Sequence, residues 1–313
     1  MKKIILIFLF AVTGLSSHSQ TAAKLLEKAE EMNDRESYDS ALQLLNKAWK
    51  LDSSLYYICT SKGIAYSGLK KWDDSYIEFT KAITRWPDSV YAYHMRAILF
   101  FRLTYTEEAI ADNTKALELA DNDSLRMMLF VNRGNCYGQK RDFQTAFEDY
   151  SRAYLFDTTN KDVINNMATV LDELGRPEEA TAYLKKLIRL DPNFVGAYVN
   201  LGYQATQQGR YKEALGYLNK ALELEKDQPL TLNNRGLARY YLKDYKGAME
   251  DINKSLSIYP ENSYAYKNRG MVYLALNEKD KACADIQKAL DLGFTEMYGN
   301  EAADLKKNIC QAR

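Results

Sequence analysis

"NNRGLARYYLKDYKGAMEDINKSL", residues 233–256, is followed by "KNRGMVYLALNEKDKACADIQKAL", residues 267–290, so that Asn-Arg-Gly returns after 34 residues. Self-similarity at a fixed period means that one small structural unit has been written repeatedly, because a single copy cannot bury its own apolar face. Extended in both directions, Gly134, Ala168, Gly202, Gly236 and Gly270 lie on a ruler of 34, and Ala29, Gly63 and Ala97 lie on a second. Three extra residues near "DNDSLR" separate the two rulers. With these residues as position 8, small residues recur at position 20 (Ala41, Ser75, Ala109, Ala146, Ala180, Ala214, Ala248, Ala282). Position 27 holds Ala48, Ala82, Ala116, Ala153, Ala221, Ser255 and Ala289, with Leu187 as the exception.

At roughly 100° per residue in a helix, positions 4, 7, 8 and 11 share one face and positions 20, 24 and 27 share another. Each repeat therefore reads as two amphipathic helices that turn small residues toward each other. Gly175 and Gly209 stand between the halves, where a left-handed cap is wanted, and Pro177 stands where a first helical turn accepts proline. The unit is a helix-turn-helix hairpin.

A small residue at 8, Ala at 20 and 27, a large residue at 24 (Phe79, Tyr150, Leu184) and Pro near 32 (Pro87, Pro192, Pro260) resemble the tetratricopeptide repeat (TPR) pattern. Asn113 departs from it at position 24. The resemblance implies an all-α, right-handed superhelical solenoid of stacked hairpins whose first helices line a concave side. Eight repeats are expected at 22–55, 56–89, 90–123, 127–160, 161–194, 195–228, 229–262 and 263–296, followed by a capping helix in 297–313.

The opening "MKKIILIFLFAVTGLSSHSQ" has two lysines, an apolar run and small polar residues, the layout of a secretory signal peptide over 1–19. Its apolar stretch, Ile4 to Leu15, falls short of the roughly 18 residues that a membrane span needs. The expected product is exported, periplasmic or secreted, with no membrane span in the mature chain. Lys plus Arg and Asp plus Glu are 42 each, so bulk charge does not call for a nucleic acid.

Function has to be read from the side chains presented, since the fold serves many roles. Positions 2, 5, 6, 9, 12 and 13 face away from the packing side. Asn132, Asn166, Asn200, Asn234 and Asn268 all occupy position 6, and amides so spaced suit the backbone of an extended peptide. Tyr57, Tyr91 and Tyr264 at position 2, Tyr203 at position 9 and Tyr240 and Tyr241 at 12 and 13 add aromatic contact area. The family's two-carboxylate clamp is not expected, because Lys267 is the only lysine at position 5 and no repeat has Arg at 6. With one histidine, His94, left after leader removal, and no Gly-rich phosphate loop, no catalytic residue, cofactor or metal is assigned. His94 is expected in the groove or on the surface.

Cys283 lies on the second helix of repeat eight and Cys310 on the capping helix, expected near 298–311, with their midpoint at Glu296–Met297. Antiparallel helices folded there would bring the two together, so a Cys283–Cys310 disulfide is expected. Cys59 and Cys136 are expected to stay free and buried. The partner expected is another protein, bound as an extended segment. A scaffold for an envelope assembly and a glycan-binding module are the alternatives.

Overall fold

The computed structural model describes residues 17–310. Residues 1–16, most of the expected leader, lie outside the described residues, and α1 already begins at Ser17, ahead of the expected cut at Ser19–Gln20. Among the described residues every regular element is helical. Packing divides the chain into two compact halves, Met1–Asp157 and Thr158–Arg313.

The first half holds four hairpins: α1 Ser17–Asp34 with α2 Tyr38–Leu51, α3 Tyr57–Gly68 with α4 Trp72–Arg85, α5 Val90–Arg102 with α6 Thr106–Leu119, and α7 Asp123–Gln139 with α8 Phe143–Phe156. The three extra residues near 124–126 are absorbed as helix, which makes α7 17 residues long. The second half holds α9 Lys161–Glu173 with α10 Pro177–Leu190, α11 Val195–Gln207 with α12 Tyr211–Leu224, α13 Pro229–Tyr241 with α14 Tyr245–Ile258, and α15 Ser263–Ala275 with α16 Lys279–Asp291.

Each hairpin turns at its fifteenth position, where the backbone has positive φ. Gly175 and Gly209 supply it at 70° and 73°, whereas Glu36, Lys70, Thr104, Arg141, Lys243 and Asn277 adopt it without being glycine. The next N–H then reaches back five residues, as Lys71 does to the Tyr66 carbonyl at 2.9 Å, and closes the helix end. Between the two helices, position 8 meets position 24. A Cβ on Gly134 would sit 2.7 Å from the Tyr150 ring, so the smallest residue stands where the partner is large. Where position 24 is Asn113, position 8 is Ala97, and the Asn113 amide, buried, donates to the Ala109 carbonyl at 2.9 Å.

The Arg of Asn-Arg-Gly ties one repeat to the next. Arg235 forms a bidentate pair with Asp251 of its own second helix, at 2.8 and 2.6 Å, and donates to Asn219 of the preceding second helix at 2.9 Å. Arg269 does the same with Asp285 and Asn253. In the first half Arg96 joins Asp112 and Thr80, and Arg133 joins Asp149 and Thr114. The planar guanidinium suits this three-way contact.

After α16 the expected single capping helix is broken. Gly293 and Gly299, at φ 77° and 88°, separate α17 Phe294–Tyr298 from its neighbours, and α18 Glu301–Leu305 runs into a π-helical turn, Lys306–Cys310. The expected turn at Glu296–Met297 therefore falls inside α17. The reason is Phe294, which is fully buried against Ile286, Ala289 and Ala302 and pulls the chain back onto the stack before a longer helix can start. Cys283 and Cys310 are joined in a disulfide with Cα atoms 5.7 Å apart. Cys59 and Cys136 are free and buried, and burial pushes each thiol up to about 11.

Candidate functional site

Within each half, successive first helices touch: α1, α3, α5 and α7 in the first, and α9, α11, α13 and α15 in the second. Their outward positions make a continuous first-helix face, and the expected contact residues can be placed on it one by one.

The asparagines divide into two kinds. Asn200 donates to Asn165 Oδ1 at 3.1 Å, and Asn268 to Asn233 Oδ1 at 3.1 Å, in each case the position-5 side chain one repeat earlier. Asn132 Nδ2 lies 3.4 Å from Nδ1 of His94, which holds that same place. These three knit adjacent first helices. Asn234 has Val199 at the matching place and carries no side-chain hydrogen bond, so its amide stays available; Asn166 is half-buried. Asn268 is 1% exposed and its Oδ1 finds no donor.

His94 is neither exposed nor open to the face: it is buried beneath the amide of Asn132. Burial holds its imidazole down to about 4, so the ring is neutral at ordinary pH and Nδ1 accepts the Asn132 bond.

The tyrosines gather in each half separately. In the first, Tyr57 and Tyr91 have ring centroids 6.1 Å apart, and burial, with Glu30 and Asp34 nearby, pushes Tyr91 up to about 12. In the second, Tyr203 is 41% exposed, and its phenol is raised by burial and by the neighbouring Glu173 and Asp172. Burial also raises Tyr264, which has Tyr203, Glu301 and Tyr241 as electrostatic neighbours, and Gln207 lies beside the Tyr203 and Tyr264 hydroxyls. Tyr241 stacks on Tyr211 with centroids 4.6 Å apart. Tyr240 turns away, packing against the cluster of Ala248, Ile252 and Tyr245.

Two contributors to this second-half site lie outside the repeats' arithmetic. Tyr298, on α17, brings its ring 5.2 Å from Tyr264, and Glu301, on α18, accepts from Lys267 Nζ at 2.8 Å. Lys267 is buried, with its ammonium 4.9 Å from the Tyr264 ring centroid. No periodic signal reaches residues beyond 296, so only the fold of the cap brings Tyr298 and Glu301 here. Gln204, buried, donates to both Asp172 oxygens at 2.6 Å and fixes that carboxylate. Among the described residues, no cluster of three or more His, Cys, Asp or Glu side chains is placed to hold a metal ion, and no helix is long and apolar enough to cross a membrane.

Stacked helical hairpins with a small-residue seam and a first-helix face of amides and tyrosines define a tetratricopeptide-type solenoid. Three tetratricopeptide-repeat family models match residues 165–229, 229–262 and 263–292, so this stretch carries such repeats. The fold is that of the APC/C hetero-tetramer Cut9-Hcn1 structure, with TM-score 0.65, 17% identity, and 94% of this chain and 57% of that one covered. Yeast Tom70 is similar too, with TM-score 0.60 and 16% identity over 96% of this chain and 66% of that one. Among curated proteins, human tetratricopeptide repeat protein 13 is 25% identical over 170 residues, 53% of this chain and 19% of its own length. The chain spans about a fifth of the length of the curated relatives it matches. Tetratricopeptide repeats generally mediate contacts between proteins.

Proposed function

We propose that the chain is a non-enzymatic interaction module that binds an extended segment of a partner protein along the first-helix face of its second half. The observation that carries this reading is the convergence of Tyr203, Tyr241, Tyr264 and Tyr298 on one site, with Asn234, half-buried, on the same helix as Tyr241. Tyrosine offers a large contact area at little cost in side-chain freedom, and amides pair with a backbone whatever its sequence. The asparagines spent on neighbouring repeats stiffen the face and reduce the ordering needed on binding.

The module acts after export, with residues 1–19 removed. Its leader-like start and its Cys283–Cys310 disulfide both suit an oxidising compartment. Sequencing the amino terminus of the protein recovered from its host checks this: a start at or just after Gln20 supports export, and an intact Met1 overturns it.

The test of binding is a photo-crosslinking side chain in place of Tyr203, compared with one in place of Glu250, which is exposed on α14. A protein captured at position 203, lost when Tyr241 becomes Ala, supports the reading. Capture from position 250 alone would move the contact to the second helices and favour a scaffold.

A further inference from the structure

The second-half site is built of rings. Tyr203, Tyr241 and Tyr298 are 41%, 43% and 54% exposed, so each leaves part of its side chain uncovered. They stand on α11, α13 and α17, with half-buried Tyr264 of α15 among them. Tyr264 meets Tyr298 at 5.2 Å between centroids with the rings tilted by 51°, and Tyr241 meets Tyr211 at 4.6 Å, nearly parallel at 11°. Tyr203 and Tyr241 are both electrostatic neighbours of Tyr264. Contributed by three successive repeats and the cap, these rings form a track along the stack.

The hydroxyls of this track are placed to donate. Burial raises the phenols of Tyr203, Tyr241 and Tyr264, so they keep their protons at ordinary pH. Gln207 acts against burial on Tyr203 and Tyr264, as an amide N–H directed at a phenol oxygen does, which leaves each O–H to point at an acceptor. Partners for a peptide N–H are scarcer. Asn268 is buried, and Asn200 is engaged with Asn165 of the preceding repeat. Among the described residues there is no strand, hence no sheet edge along which an extended segment could pair its N–H groups. An ordinary extended segment would strip water from N–H groups that the face does not replace, at a cost for each. Proline has no N–H, and its carbonyl is an acceptor.

We propose that the segment held by this face is proline-rich, lying in the polyproline II conformation with its pyrrolidine rings on the exposed surfaces of Tyr203, Tyr241 and Tyr298 and its carbonyls accepting from tyrosine hydroxyls. This rests on the peptide-binding reading above and adds the chemistry of the partner. A polyproline II chain has no internal hydrogen bonds, so its carbonyls are available along its whole length, and it has little conformational freedom left to lose on binding. Aromatic-lined grooves recognise such segments on these grounds.

The test uses the full chain and three labelled short peptides of equal length, oligoproline, glycine–serine and threonine–serine, followed by fluorescence anisotropy. Oligoproline should bind saturably and almost independently of salt, since neither the rings nor the peptide backbone carries charge. Tyr203→Ala and Tyr298→Ala should each weaken it by roughly threefold to tenfold, and Tyr203→Phe, which keeps the ring and loses the hydroxyl, by a smaller factor. Glu250→Gln should leave it unchanged. Circular dichroism checks that these variants are folded. Equal binding of the flexible glycine–serine peptide or the strand-favouring threonine–serine peptide would overturn the proline inference and leave peptide binding standing. Oligoproline binding that ignores Tyr203→Ala and Tyr298→Ala would overturn it as well, placing the contact elsewhere on the surface. Absence of binding by all three overturns it too, and the crosslinking comparison at positions 203 and 250 then decides the peptide-binding reading separately.

Discussion

The guanidinium of Arg96 illustrates how one residue holds the stack. It fills a fork on Asp112 at 2.7 and 2.9 Å and reaches Thr80 of the preceding repeat at 3.1 Å, while Asp112 is only 6% exposed. Removing one partner of a buried pair leaves the other charge uncompensated, so Arg96→Met should lower unfolding free energy by about 3–5 kcal/mol in denaturant titrations. A loss under about 1 kcal/mol would show the pair to be a surface ornament. His94 makes a second prediction at this scale. Its folded value of about 4 lies below the unfolded value of about 6.5, so between them the unfolded chain binds more protons. Stability is thus full above about pH 6.5 and falls as pH drops toward 4. His94→Gln, measured by denaturation midpoints at both ends of that window, should flatten the difference. The sequence shows His94 at position 5 but not its burial, because Asn132 covers it from 38 residues away.

At the scale of the hairpin, the sequence is legible wherever periodicity operates. Position 8, position 20 and the Gly175 and Gly209 turns are visible because each small residue answers a close approach that every repeat makes. The same turn in the other six repeats is hidden, since Glu36, Lys70, Thr104, Arg141, Lys243 and Asn277 give no local sign of positive φ. Thr104, β-branched at φ 64°, is the most strained of these by side-chain type. Thr104→Gly should raise stability by about 1 kcal/mol, the relief of left-handed strain exceeding the added freedom of the unfolded chain. An unchanged or lower melting temperature would show that the turn bears no strain. The Arg–Asp clamps were equally readable in principle: Arg at 7 and Asp at 23 recur in four repeats, whereas Met167 and Leu201 replace the Arg in repeats five and six.

At the scale of the whole molecule, the second half is finished by a cap that sequence periodicity does not describe. The tyrosines within the repeats are found by arithmetic, but Tyr298 and Glu301 enter the site only because Phe294 and the disulfide fold residues 294–310 back onto α16. The two cysteines are 27 residues apart, and closing a loop of that length removes entropy from the unfolded chain, which stabilises the fold by about 3–4 kcal/mol. Cys310→Ser, or reduction of the native chain, should therefore lower the stability of the second half by about that amount. A reductant-insensitive unfolding curve would contradict this. The central claim is that the second-half first-helix face binds an extended segment. Its most direct test is selection of a random-peptide display library on the immobilised full chain, repeated on the Tyr203→Ala, Tyr241→Ala double variant. The account predicts peptides enriched on the native chain and on Glu250→Gln but not on the double variant; enrichment that survives the loss of both tyrosines would contradict it.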